Sequence, residues 1–209
     1  MKSLFALTII AVCMAAAGCD SPAKLADQVS GSWTGDMHAI PVGRAGSSSI
    51  VERITFQRDS SMAGGVVIIN ADISSDQPVQ SANGAPVDVV SVTAAARSTV
   101  TGTWRAIDND GIALDLDLRS INVRIDPDMV ELLVSPVTGT DRAVVDSVRP
   151  EMVNYMHALI ARAMHDHYLT YGRLENVAVT NNGTDLQMEI DHHNIMLHRE
   201  APAGMAANK

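Results

Sequence analysis

Ile112-Ala113-Leu114-Asp115-Leu116-Asp117-Leu118-Arg119 sets an apolar residue against a small or charged one at every step. A period of two is the signature of a strand with one face buried and the other in water. The same face resumes at Ile121, Val123 and Ile125 after a one-residue shift at Ser120, which predicts a bulge or bend there. Just upstream, Asp108-Asn109-Asp110-Gly111 has turn composition between strand-like residues, so 99–119 reads as a hairpin. Segments 32–40, 50–58, 65–73 and 87–97 carry further strand patterns, and 76–86, with its prolines and Asn83-Gly84, reads as a loop. Short strands in series with turn signals between them predict a mostly β, antiparallel sandwich or barrel.

Downstream the period lengthens. Met152, Met156, Leu159, Ile160 and Ala163 recur at three- and four-residue spacing behind Pro150, which predicts one amphipathic helix in the C-terminal region over 149–168. After Gly172, Val177 and Val179, then Asn181-Asn182-Gly183, then Leu186, Met188 and Ile190 outline another hairpin. Asp126-Pro127-Asp128 is followed by either a short helical turn or a further strand over 129–134.

The N-terminus has a different chemistry. A basic start at Lys2, an apolar run over 4–17 and small residues at its end form a secretory signal peptide over 1–18. That run is too short to cross a hydrocarbon core of roughly 30 Å as a helix. Ala16-Ala17-Gly18-Cys19 resembles the lipobox of bacterial lipoproteins, which implies that Cys19 is acylated and becomes the first residue of the mature chain. Cleavage after Ala15 or Ala17 would instead leave Cys19 a plain thiol. On the lipoprotein reading, 19–30 is a lipidated tether, with a helical turn over 23–29, and 31–209 is a single domain of ordinary size. Cys13 departs with the signal peptide, so no internal disulfide is available and a packed core must hold the fold. The chain has 24 acidic against 15 basic side chains and no basic cluster, which argues against nucleic acid and leaves the lipid as the membrane device. The expected address is the cell envelope, anchored by lipid and facing the periplasm.

Gly31-Ser32-Trp33, soon after the tether, is similar to the Gly-x-Trp signature that opens the first strand of lipocalins, and Gly102-Thr103-Trp104 repeats the spacing. With its lipobox, Trp-bearing strands and late helix, the chain resembles the lipocalin-like lipoproteins of Bacteroidetes. The resemblance implies a lipocalin-like β-barrel in which Gly31 and Gly102 allow close backbone approach and Trp33 and Trp104 act as structural plugs.

Six of the seven histidines fall between His157 and His198. On a helix His157 and His165 lie about 80° apart, and His167 lies about 200° beyond His165, so one helix cannot aim all three at one ion. A site would need His192 or His193 as well, and the expectation is scattered histidines with no metal and no cofactor. Asp108 to Gly111 lacks the closing Glu of a calcium loop, since Arg119 stands there. No nucleophile elbow, phosphate loop or zinc-protease motif occurs, so no catalytic residue is expected and the chain is read as a non-enzyme. Two functions remain. One is a barrel that binds a small apolar or amphipathic ligand. The other is a filled barrel that acts as an interaction module for an envelope protein, and the chain's seven aromatic residues would stock a ligand pocket poorly. Radiolabelled palmitate should enter the unaltered chain and be absent from a Cys19→Ala variant; labelling of the variant would refute acylation at that residue.

Overall fold

The computed structural model describes residues 21–43, 46–80, 87–135 and 141–200, and turns the period-two segments into nine antiparallel strands. Helix α1 (Pro22–Val29) leads into β1 (Gly31–Gly35) and the short β2 (His38–Ala39). Four long strands follow: β3 (Ser47–Arg58), β4 (Gly64–Pro78), β5 (Val89–Ala106) and β6 (Ile112–Val134). Helix α2 (Arg142–Tyr168) then precedes β7 (Arg173–Thr180), a 3-10 turn at Asn181–Gly183, β8 (Asp185–Ile190) and β9 (His193–Arg199). The sheet runs β1-β9-β8-β7-β6-β5-β4-β3-β2, and β1 also pairs with β3, so its hydrogen bonds close into a ring. Cys19 and the signal segment lie outside the described residues, as do 81–86 of the expected loop.

The long strands alternate as their sequences require. In β3 the residues Ser48, Ile50, Glu52, Ile54 and Phe56 point inward, and every second residue of β4 from Val67 to Gln77 does the same. The bend expected at Ser120 is a register break: Thr99 pairs with Asn122 but Thr101 with Asp117. The Ser120 hydroxyl accepts from the Thr101 amide at 3.0 Å, replacing the interrupted ladder bond. A second break, between Ala94 and Ala96, falls opposite Asp126-Pro127-Asp128. The strand alternative for 129–134 is therefore the one realised, because a bulge absorbs the proline that cannot donate to a ladder.

Three expectations change, the first being that Asp76 to Pro78, expected in the 76–86 loop, extend β4 and pair with β5. The segment read as a tether forms α1 from Pro22, capped by the Ser21 hydroxyl, and buries Leu25, Ala26 and Val29 in the core. This segment thus belongs to the folded unit and is not a tether to it. The helix predicted from Arg149 begins at Arg142 behind an Asp141 cap, and Pro150 lies inside it. A cap with a side-chain bond to the Ala143 amide sets the start, while Pro150 omits one amide without ending the helix.

Helix α2 buries Met156, Ile160, Met164 and Tyr168, one residue every four, against the inward face of the sheet. It also covers an edge. Strand β6 pairs with β7 only at Ile112 and Ala113, so its remaining length has no strand on that side among the described residues. His157 Nε2 meets the Val123 carbonyl at 3.1 Å, and Arg149 donates to the Val130 carbonyl, supplying partners along that edge.

The ring closes where β1 meets β9. Glu200, just past β9, accepts from the Thr34 hydroxyl at 2.6 Å and the Arg53 guanidinium at 2.5 Å, joining β9 to β1 and β3. These two bonds, the Thr34 bond foremost, hold its carboxyl below the ordinary value. A depressed carboxyl stabilises the fold above its unfolded value of about 4.3 and loses that contribution as pH falls through the folded value. Urea midpoints should therefore drop below about pH 4.3, and Glu200→Gln should flatten that acid slope; an unchanged slope would remove Glu200 from ring closure.

Candidate functional site

The inward row of β3 passes from Phe56 and Ile54 to Glu52, then Ile50 and Ser48, so its character changes from apolar to polar along the strand. At the apolar end stand the two Gly-x-Trp segments. Trp33 is fully buried, donates from Nε1 to the Val29 carbonyl at 2.7 Å, and lies under the Arg199 guanidinium at 4.0 Å from the ring centre. Gly31 has φ +121°, and a Cβ there would come within 2.9 Å of Arg199 Nη1. Trp104 is 3% exposed and packs edge-on against Phe56, with ring centres 5.2 Å apart. At Gly102 a Cβ would meet the Asp115 carbonyl at 2.3 Å, so β5 approaches β6 there as only glycine allows. All four residues thus have structural positions.

The polar end holds two groups of side chains. Ser48 and Ser75 hydroxyls lie 2.8 Å apart, and Gln77 Nε2 donates to both, at 3.2 and 2.9 Å. Next to them along β3, Glu52 is 4% exposed. Its Oε2 accepts from Tyr171 at 2.6 Å and lies 3.3 Å from His167 Nε2, which is itself 3.2 Å from the Tyr171 hydroxyl. The second histidine there is His38, exposed on β2, with its ring centre 6.1 Å from that of His167. Burial and then the Glu52 carboxylate push the Tyr171 and Tyr168 hydroxyls well above their usual value, which keeps both phenols protonated. Glu52 Oε1, Ser98 Oγ and the Tyr168 hydroxyl are buried and make no hydrogen bond of good geometry, although Tyr168 stands close enough to Ser98 and Glu52 for both to act on its hydroxyl.

The other histidines do not converge with these. His165 stands beside Asp166, His192 beside Glu189, and His198 beside Asp185, each on a single carboxylate at the surface. His193 pairs with Ile190 in the last hairpin. Sequence reasoning looked within the C-terminal cluster of histidines and passed over His38, Glu52 and Tyr171. The signal available was Glu52 itself, a carboxylate at the inward parity of a strand otherwise carrying Ile50, Ile54 and Phe56.

Comparison of the chain with protein-family models, curated proteins and solved structures finds no match.

Tyr168→Phe removes a buried hydroxyl that makes no hydrogen bond of good geometry but stands near Ser98 and Glu52, so stability should change by no more than about 1 kcal/mol. Tyr171→Phe takes a donor from a buried carboxylate and should cost about 1.5–3 kcal/mol. Urea denaturation of the two variants gives the ranking, and the reverse order would show that the two hydroxyls have been assigned the wrong roles.

Proposed function

We propose that the protein is a lipid-anchored, lipocalin-like lipoprotein of the cell envelope, with a filled ring that serves as a non-enzymatic interaction module for another envelope protein. The observation that carries this reading is the content of the interior. Trp33, Phe56, Tyr168, Met156, Ile160 and Met164 are each less than 2% exposed and belong to one continuous core. The space that an apolar ligand would need is taken by the methionine, isoleucine and tyrosine stripe of α2. Aromatic residues that could line a pocket are spent on packing, since Trp33, Trp104, Phe56, Tyr168 and Tyr171 are all buried.

Contact chemistry lies outside. Met37 and Met129, 69% and 59% exposed, line a groove of about 500 Å³ whose polar margin includes Asp72, Arg97, Arg124 and Asp126. Flexible thioethers within a charged rim suit adaptable protein contact. The lipid places this surface in the right company. Helix α1 begins at Pro22, so an acylated Cys19 is separated from the folded domain by two residues, and the domain stays beside the membrane that holds its partner.

The Cys19→Ala form, purified without detergent, tests the reading. Native mass spectrometry should show no bound organic molecule, and a photo-crosslinking residue in place of Met129 should join a discrete envelope protein in cells where one replacing exposed Arg119 does not. A stoichiometric apolar molecule carried through purification would replace this reading with the ligand-binding one.

A further inference from the structure

We propose that His38, Glu52 and His167 form a binding site for a divalent transition-metal cation of the zinc class. One ligand atom from each residue falls within a common 4.8 Å, and no other group of three or more such side chains occurs among the described residues. The residues come from three elements, β2, β3 and the last turn of α2, so the site exists only in the folded chain.

The donor set is chemically coherent. Two imidazoles and one carboxylate suit zinc and its neighbours, and they leave coordination positions for water. Ligand atoms about 2.0–2.2 Å from a tetrahedral ion lie roughly 3.3 Å from one another. His167 Nε2 and Glu52 Oε2 already have that separation, 3.3 Å. His38 is exposed on a two-residue strand and can swing the remaining distance; it also gives the ion a route in from solvent.

The surroundings support a cation independently of spacing. Glu52 Oε1 is buried without a partner, and a buried carboxylate oxygen left unpaired is costly. A metal ion held at Oε2 offsets the buried charge of the whole carboxylate. Tyr171 donates to Oε2 at 2.6 Å and lies 3.2 Å from His167 Nε2, so it orients both side chains as an outer-shell partner does. His38 Nδ1 lies 3.3 Å from the Asp36 carbonyl, and a proton held there leaves Nε2 as the ligand nitrogen. The paired surface histidines offer only one carboxylate each and no third group.

The full-length chain, purified in detergent without a histidine tag and stripped with a chelator, provides the test. Titration with zinc should load a single ion and raise the melting temperature. His38→Ala, an exposed change that leaves the core untouched, should weaken zinc binding by more than roughly tenfold and abolish the thermal shift. Glu52→Gln, which keeps an acceptor for Tyr171, should do the same. His198→Ala, at an exposed histidine outside the site, should bind as the parent does. In the cobalt-loaded parent a visible ligand-field band is expected that His38→Ala lacks. The proposal fails if the stripped parent takes up no zinc, or if His38→Ala binds it as tightly as the parent.

Discussion

Closure of the sheet depends on what Arg199 does with one guanidinium. Its Nε donates to the Gly183 carbonyl at 2.7 Å, Nη1 to Ser30 at 2.9 Å and Nη2 to Gln28 at 2.8 Å, while its plane covers Trp33. The Gln28 and Ser30 carbonyls lie at the end of α1, where a helix has acceptors without intrahelical donors and favours positive charge. One side chain therefore joins the first helix, the first strand and the final hairpin. A lysine could not replace it, because only a planar fork reaches three carbonyls while stacking on an indole. The absence of a side chain at Gly31 is the complementary requirement, since a Cβ there would crowd the guanidinium at 2.9 Å and φ is +121°.

With the ring closed, its interior divides along the strands. Trp33, Phe56 and Trp104 make one end dense and apolar, and Ser48, Ser75, Gln77 and Glu52 make the other polar. The serine and glutamine group satisfies itself, whereas Glu52 Oε1 makes no hydrogen bond of good geometry. Buried polar groups are ordinarily fully paired, and Glu52, held by Tyr171 and His167 through one oxygen, is an exception at this end.

Much of this architecture was legible because a strand with one wet face must alternate. The alternation of Leu114, Leu116 and Leu118, the shift at Ser120 and the turn at Asn181-Asn182-Gly183 each carried a local physical cause, and each reappears in the fold. Elements whose causes were tertiary did not show. The last hairpin turns at Asp191 and His192, both with positive φ, where glycine or asparagine would have announced it. Pro150 looked like a helix start because the Asp141 cap lies beyond a stretch of weak periodicity. The carboxylate site was hidden for the same reason: the β2–β3 pairing brings His38 beside Glu52, and only the docking of α2's last turn adds His167.

The uncovered side of β6 bears on how such a chain reaches its native state. Beyond Ala113 the strand offers a row of backbone donors and acceptors that no neighbouring strand takes up among the described residues, and α2 is the element laid across them. Since α2 follows β6 in the chain, the strand is made before its cover exists. During that interval it can template pairing with another copy of itself, and the hazard ends only when the helix docks. The late helix thus shields the edge of the longest described strand from pairing with another copy.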